Sequence, residues 1–437
     1  MHEKLWFVGP NPVSVFFTSI DAKRIPYSID TQRLAAIQAP VFWLFSQSAL
    51  WRQPAQSSVF QVLSSCSFQC RQLQWIRYMT SNLKKIALVG LGAAAKSIHL
   101  PAYKKMANLE LVGGHDPAVE PSSNAGEFSF PVFPDVKSLL DQTKPDILAI
   151  ASPTQFHFDL AEQGLLHGCH IFCEKPFTTT LDEARQLIDL SEKQKRWIVV
   201  NNEFRFMNIY EAAKEKIGSP EFGDLLFINA QQNFYVNEKT EAGWRGNDPQ
   251  RTCKEFGIHV LDLCRYFFGE EPVSIDARMP KPSNPTGPDY LNLIQLEFPG
   301  GRSAQITLDR LTRGRHRYLD LRLDGTKASI ETEFGGNVQF TAGIRGGDRK
   351  PFVDFDISLG GRALQYNGEK ARKIASDPLD IFANATSKLL KNLIDAIDNG
   401  TVPACSAQDN IKTLALMLAA YTSSEEGEPV PFAEHWA

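Results

Sequence analysis

The sequence predicts an α/β protein in which a parallel-sheet domain is followed by a second, α+β domain. Five short apolar runs alternate with helix-period segments, at residues 86–89, 109–112, 147–151, 171–173 and 197–200. Such alternation indicates a parallel sheet with helices on its faces. One connecting helix begins with a capping box, because the Thr180 hydroxyl and the Glu183 carboxylate can satisfy each other's free backbone donors. We therefore assign residues 81–204 to the first domain.

Longer strand-like runs and two terminal helices mark the second domain, which is assigned to residues 205–437. The runs cover residues 225–231, 290–298, 302–308, 319–323 and 328–332. Amphipathic helices are expected at 380–399 and 407–424. The segment 341–377 is rich in glycine and charge, so we expect a long loop or insertion there.

The composition excludes several classes of protein. Of 437 residues, 43% are hydrophobic and 22% charged, which is typical of globular domains and not of disordered or collagen-like chains. The formal net charge is −4, so neither nucleic acid nor an anionic membrane is expected as a partner. No apolar run approaches the roughly 18 residues of a membrane span. Seven cysteines, an odd number thinly spread, indicate a reducing, cytoplasmic location.

Residues 1–80 differ from the rest of the chain and are expected to be a disordered or non-native extension. Up to position 78 there are seven basic and three acidic side chains and four of the seven tryptophans, with the period of neither helix nor strand. The low acidity leaves an organelle transit peptide as an alternative. In the simpler interpretation Met79 is the working start, because the first strand follows within a few residues.

A glycine-rich turn directly follows the first predicted strand and opens a helical segment. It reads Gly90-Leu-Gly92-Ala-Ala-Ala95, and in this context the pattern predicts a dinucleotide site. Gly90 permits the tight turn, Gly92 lets a pyrophosphate approach the backbone, and Ala95 allows close helix packing. Asp116 lies 21 residues after Ala95, the spacing of an acidic residue that binds the adenosine ribose. Because a carboxylate repels a 2′-phosphate, NAD is expected and NADP is disfavoured. A glycine turn that merely packs a βαβ unit is the alternative.

Two further motifs carry candidate catalytic groups. The tripeptide Glu-Lys-Pro at 174–176 ends an apolar strand, where an open parallel sheet borders its ligand crevice. Proline restricts the preceding residue to extended geometry, and the Lys175 ammonium is suited to stabilise a developing alkoxide. Further on, the offsets between Glu255, His259 and Asp262 predict one stripe of a helix. Imidazole is a suitable proton acceptor for an alcohol hydroxyl, and a neighbouring carboxylate is expected to orient it.

Together these features resemble the glucose-fructose oxidoreductase, inositol dehydrogenase and rhizopine-catabolism family (Gfo/Idh/MocA), from about residue 83 to about residue 430. The motifs that carry the resemblance are the glycine turn with His99-Leu-Pro-Ala, Ser152-Pro-Thr-Gln-Phe-His157, Glu174-Lys175-Pro176, and Phe256-Gly-Ile-His259 with Asp262. The resemblance implies a Rossmann domain followed by a domain with a large open-faced, mostly antiparallel sheet. We expect a homo-dimer or homo-tetramer that associates through this open sheet.

The resemblance also implies an NAD-dependent oxidoreductase that acts on a secondary alcohol or ketone of a sugar, inositol or related polyol. In this interpretation Lys175 lies beside the nicotinamide, His259 is the acid/base, and Glu255 stands where many members carry an aspartate. Cofactor binding is expected from Gly90, Gly92, Ala95, Asp116, Ser152, His157, Glu174 and Lys175. Substrate binding is expected from Arg205, Trp244, Arg245, Lys254 and Asp262. No metal is expected.

The chain departs from the family pattern just before the helix that carries His259. Many members have a glycine-rich run there, whereas this chain reads Asp248-Pro-Gln-Arg-Thr-Cys-Lys254. Arg251 and Lys254 would either narrow the pocket or bind an acidic substrate. Two other functions stay open: a glycosidase that uses tightly bound NAD for transient oxidation, and a non-catalytic regulator that binds the dinucleotide as a signal.

We predict that a chain beginning at Met79 folds and binds NAD with the affinity of the full chain, because the preceding residues show no core-forming pattern. Purification of both chains and titration of each with NAD test this. Insolubility of the shorter chain, or a loss of NAD affinity, would assign the extension to the fold.

Overall fold

The computed structural model describes residues 83–121, 128–236, 246, 248–282, 285–314, 317–335, 337–345, 350–358, 360–368 and 370–432. All of them belong to one compact unit, Leu73–Ala437. The predicted extension 1–80 and two of the expected substrate residues, Trp244 and Arg245, lie outside the described residues.

Five parallel strands form the sheet of the first domain. They are β1 (Lys84–Val89), β2 (Leu109–His115), β3 (Ile147–Ile150), β4 (His170–Cys173) and β5 (Ile198–Val200). Their order is β2-β1-β3-β4-β5, so the chain changes direction across the sheet between β1 and β3. Ligands of open α/β sheets bind at such a switch point, outside the carboxyl ends of the strands. Ile86 and Leu88 of β1 enter one core and Ala87 and Val89 another, and burial on both faces explains the continuous apolar run.

Helical segments connect these strands. A π-helical turn (Ala95–His99) leads into α1 (Leu100–Tyr103), and α2 (Val136–Thr143), α3 (His157–Leu166) and α4 (Leu181–Gln194) follow. The capping box predicted at the start of α4 is confirmed, because Thr180 accepts from the Glu183 amide and the Glu183 carboxylate accepts from the Thr180 amide. Pro101 lies in the first turn of α1, where an N–H group would have no helical partner.

A nine-stranded sheet and a separate two-stranded ribbon make up the strands of the second domain. They are β6 (Leu225–Asn233), β7 (Ser274–Arg278), β8 (Leu291–Phe298), β9 (Arg302–Asp309), β10 (Arg317–Gly325), β11 (Ser329–Phe334), β12 (Asn337–Arg345), β13 (Lys350–Ser358), β14 (Gly361–Asn367), β15 (Lys370–Asp377) and β16 (Val430–Pro431). β12 pairs with β13 in the ribbon, and the large sheet has the order β15-β14-β11-β10-β6-β9-β8-β7-β16. β6 and β9 are parallel neighbours and the other neighbours are antiparallel, which confirms the predicted mostly antiparallel sheet.

Helices cover one face of the large sheet. After the 3₁₀ turn Glu203–Phe206, the helices of the second domain are α5 (Asn208–Lys216), a π-turn (Cys253–Gly257) that leads into α6 (Ile258–Phe268), α7 (Ile381–Asn399) and α8 (Ala407–Glu426). Helices α5, α6 and α8 pack on the large sheet, whereas Leu389 and Leu393 of α7 share a core with Ile86 of β1. Along β8, Ile294 and Leu296 are buried, whereas the alternate residues Leu293 and Gln295 are exposed. The sheet is therefore open on the second face, as the sequence predicted.

A long loop or an insertion was predicted at 341–377, and the long loop was wrong. That segment contributes to β12 and β13 and contains β14 and β15. β15 pairs with β14 over its whole length although most of its residues are exposed or half-buried. Its backbone hydrogen bonds hold it in the sheet without the apolar period that sequence analysis uses to recognise a strand.

Among the residues that the structure describes, none of the helices has the length and apolar character needed to cross a bilayer.

Candidate active site

The glycine turn between β1 and the following π-turn has the geometry that its glycines predict. Gly90 has φ +88° and donates to the His115 carbonyl at 2.9 Å. A Cβ at Gly90 would lie 2.6 Å from the backbone of Ala151 and Ser152, so only glycine fits beside the end of β3. At Gly92 a Cβ would meet no atom within 4 Å, which leaves the turn open on that side.

Asp116 lies beside this turn, as the spacing predicted. Its carboxylate accepts hydrogen bonds from the amides of Leu91 and Ala118, both at 2.8 Å. The first of these bonds ties the end of β2 to the glycine turn across 25 positions of sequence. Ala95 is fully buried where the helix begins, so a small residue allows the close packing expected there.

A cleft of about 560 Å³ lies at the switch point, and both domains contribute to its walls. Residues predicted as site residues that line it are Gly92, Ser152, Glu174, Lys175, Lys254 and Glu255. The open cradle at Gly92, the adjacent carboxylate and the cleft between the strand ends fit a bound dinucleotide.

Glu174, at the end of β4, is a buried carboxylate with two partners. Its Oε1 lies 2.8 Å from His99 Nε2 and accepts from the Asn201 amide at 2.8 Å. Burial alone would raise the pKa of Glu174, but the His99 contact and the Lys175 charge lower it below the ordinary value. Glu174 therefore links the helix after the glycine turn, the end of β4 and the end of β5.

Lys175 lines the cleft and reaches the second domain. Its Nζ donates to the backbone carbonyl of Glu255 at 2.5 Å, and its peptide bond to Pro176 is cis. The predicted position of this lysine at a strand end that borders the crevice agrees with the structure.

His259, in the first turn of α6, is 4% exposed and stacks on Phe204, with ring centroids 4.1 Å apart and ring planes 9° apart. Its Nδ1 is buried and has no hydrogen-bond partner within the described part of the chain. Burial, followed by the positive charge of Lys175, holds the pKa of His259 well below its ordinary value. The imidazole is therefore neutral at neutral pH.

Neither of the two acidic residues predicted to share a stripe with His259 orients its ring. Glu255 accepts from Arg251 at 2.6 Å and from Arg310 at 3.2 Å. It lies in the π-turn, where hydrogen bonds span five residues, so an offset of four no longer stacks side chains as in an α-helix. Asp262 is 1% exposed, and its carboxylate accepts a hydrogen bond from Arg205.

Arg205 and Asp262, both expected to bind substrate, form a buried ion pair away from the cleft. Two bonds of 2.6 Å join the guanidinium to the carboxylate, and Thr413 donates to the same carboxylate at 2.8 Å. Arg205 also donates to Asp409 at 2.7 Å. Their polar atoms are engaged by protein groups, so in this structure the pair holds the 3₁₀ turn, α6 and α8 together, and the substrate-binding role stays a prediction.

His157, expected to bind the cofactor, is buried and links two loops. Its ring nitrogens lie 2.9 Å from the carbonyl oxygens of Pro176 and Ser152. Burial lowers its pKa although these carbonyls oppose the shift. Ser152 itself lines the cleft, and Lys254 lines it while pairing with Asp248 at 3.1 Å.

Residues 84–202 match the family model described as an oxidoreductase family with an NAD-binding Rossmann fold. Residues 210–331 match the C-terminal domain of the same GFO/IDH/MocA family. The chain belongs to the GFO/IDH/MocA oxidoreductase family. The family predicted from the sequence motifs and its nicotinamide dinucleotide cofactor are thereby confirmed.

Several relatives of this protein are sugar and polyol dehydrogenases. D-apiose dehydrogenase from Paraburkholderia graminis is 24% identical over 82% of this chain and 92% of its own length. Inositol 2-dehydrogenase from Rhizobium meliloti is 25% identical over 80% of this chain and 99% of its own length. D-glucoside 3-dehydrogenase from Escherichia coli is 26% identical, but the match covers only 44% of this chain and 56% of that enzyme.

The same fold occurs in a solved oxidoreductase from Agrobacterium radiobacter in complex with NAD+, L-tartaric acid and magnesium. It has a TM-score of 0.67 and 20% identity, and the match covers 80% of this chain and 99% of that one.

Sequence reasoning missed two residues of this GFO/IDH/MocA site. Asn201 binds Glu174, and Phe204 stacks on His259. Asn201 follows β5 directly and Phe204 lies four residues past its end, so the available signal was their place after the carboxyl end of a parallel strand.

We predict that Asp262→Asn lowers the free energy of unfolding by about 3–5 kcal/mol, because breaking a buried ion pair leaves an uncompensated charge. Urea denaturation followed by circular dichroism measures it. Asp276→Asn is the matched control, since its ion pair with Arg278 is exposed and is worth about 1 kcal/mol or less. Wild-type stability of Asp262→Asn, together with a raised substrate KM, would support the substrate-binding role instead.

Proposed function

We propose that this protein transfers hydride between NAD and a secondary alcohol or ketone of a sugar, inositol or related polyol. One observation carries the proposal: Lys175, at the end of β4, lines the glycine-turn cleft and binds the Glu255 carbonyl, and its charge acts on the buried, neutral His259 of the second domain. The relatives that cover most of the chain are named as dehydrogenases of apiose and inositol, which supports the substrate class.

Four residues would hold the cofactor. Gly90, Gly92 and Ala95 form the turn for the pyrophosphate, and Asp116 offers its remaining acceptor sites to the adenosine ribose. When bound, the nicotinamide supplies the hydride acceptor or donor. The negative charge of Asp116 would repel a 2′-phosphate, so we favour NAD over NADP.

The protein's own groups would manage proton and charge at the reacting oxygen. A neutral His259 accepts the hydroxyl proton during oxidation and returns it during reduction. The Lys175 ammonium stabilises negative charge that develops on the same oxygen. Asp248, Gln250 and Lys254 line the cleft and provide polar groups for further substrate hydroxyls.

We also propose a homo-dimer or homo-tetramer through the open sheet face, where Leu293 is 43% exposed.

The proposed substrate class can be tested by a screen of sugars and polyols for NADH absorbance. Turnover of at least one of them supports the proposal. Tight NAD binding without turnover of any would favour a regulator, and cleavage of a glycoside without net NADH would favour a glycosidase.

We predict that Asp116→Ser shifts the ratio of NAD to NADP affinity toward NADP by about 5- to 150-fold, or about 1–3 kcal/mol. The shift follows because the repelling charge is removed. Calorimetric titration of each dinucleotide, independent of turnover, measures it. Asp116→Asn is the companion variant, since it removes the charge and keeps an oxygen for the Leu91 amide. A wild-type preference for NADP would remove Asp116 from this role.

We predict that Lys175→Ala and His259→Ala each lower kcat/KM by at least about 100-fold while NAD affinity stays nearly unchanged. Glu255→Gln should cost less, because Lys175 binds its backbone carbonyl, which the substitution keeps. For oxidation, the acid limb of the wild-type profile should lie below about pH 6.5, since the lowered pKa keeps His259 neutral there. Wild-type rates in both alanine variants would locate the reaction centre elsewhere.

A further inference from the structure

We propose that Phe204 is the positioning residue that holds the His259 imidazole for proton transfer. The inference rests on the proposed function, which gives His259 the acid/base role. The two rings are parallel within 9°, and their centroids are 4.1 Å apart. Phe256 adds an edge contact at 6.2 Å.

Within the described residues, hydrogen bonding does not fix this imidazole as it fixes many acid/base histidines. The usual arrangement is a bond from one ring nitrogen to a carboxylate or a backbone carbonyl. Here Nδ1 is buried without a partner. The carboxylates of Glu255 and Asp262 bind arginines instead. The orientation of the ring must therefore come from packing, and Phe204 is the side chain stacked on its face.

Phe204 is itself held firmly. It is 1% exposed and has ring contacts with Tyr210, Phe334 and Phe382, at centroid distances of 6.2, 5.8 and 6.0 Å. The next residue, Arg205, is bound to Asp262 of α6 by two hydrogen bonds. The turn that carries Phe204 and the helix that carries His259 are therefore fixed to each other one residue from the stack.

Contact through the ring face suits an acid/base group. The ring nitrogens of imidazole point outward in the ring plane, so a stacked phenyl ring restrains the plane without occupying either nitrogen. It also keeps water from one side of the ring. The positive charge that acts on His259 comes from Lys175, at the end of β4, and Glu255 on the preceding turn is engaged by Arg251 and Arg310.

The test compares Phe204→Leu with Phe267→Leu. Phe267 is a matched control because it is fully buried on α6 and its ring contacts Tyr210 and Tyr266. We expect Phe204→Leu to lower kcat by about 10- to 100-fold, since a small misplacement of a catalytic group is costly. The substrate KM should stay within about threefold, and Phe267→Leu should keep kcat within about threefold.

Two readouts separate positioning from a general loss of structure. In Phe204→Leu the acid limb of the kcat/KM profile should move to higher pH. Water would reach the imidazole, and the pKa of His259 would rise towards its ordinary value. In NMR spectra of the cofactor-free Phe204→Leu variant, the ring-proton resonances of His259 should lack the ring-current shift that the stacked phenyl ring causes in the wild type. Phe204→Met fills more of the volume and is the second variant if the leucine variant does not fold.

The outcomes are distinguishable from failure of the proposed function. If His259→Ala turns over like wild type, the acid/base role fails and the positioning role fails with it. If His259→Ala is slow but Phe204→Leu behaves like Phe267→Leu in rate and pH profile, only the positioning role is overturned. Unchanged His259 resonances in Phe204→Leu would overturn it as well.

Discussion

The buried ion pair between Arg205 and Asp262 is the constraint on which the geometry of the candidate site depends. Arg205 follows the last strand of the parallel sheet, and Asp262 lies on α6 of the second domain. Arg265 and Asp409 extend the pair, because Arg265 donates to Asp409 at 2.9 Å and Arg205 donates to the same residue. A buried ion pair contributes little net stability, because desolvation offsets most of the attraction. The Asp262 carboxylate is 1% exposed, however, so few positions of α6 keep it paired with Arg205. The network thus fixes the rotation of α6, and with it His259, relative to the strand ends.

A second buried network fixes the cofactor side of the cleft. Glu174 contacts His99, from the helix after the glycine turn, and Asn201, from the end of β5. Asn201 and Arg205 are four residues apart, so the chain that leaves β5 serves both networks. This short segment connects the two domains. At one end Asn201 binds Glu174, the neighbour of Lys175, and at the other end Arg205 binds the helix that carries His259.

Local rules account for what the sequence predicted well. The five parallel strands, the capping box at Thr180 and the glycine turn each depend on residues close in sequence. Their patterns can therefore be recognised without knowledge of the fold. The partners of Asp262 and His157 could not be predicted, because they lie 57 and 19 positions away and nothing local to either residue identifies an arginine or a carbonyl as its partner. The strand β15 was missed because it is exposed and lacks an apolar period. The π-turn at Glu255 changes the offset between side chains, and helical spacing alone does not predict it.

The charges around Lys175 explain how an ammonium and a neutral imidazole coexist at the candidate site. Glu174 is ionised next to it, since hydrogen bonds and the lysine charge hold its pKa low. Burial, followed by the charge of Glu174, raises the pKa of Glu203 to about 8, so this carboxyl is mostly protonated at neutral pH. One carboxylate therefore lies beside one ammonium. Burial, followed by the positive charge of Lys175, lowers the pKa of His259. In the proposed reaction the imidazole would therefore bind a proton weakly and release it readily.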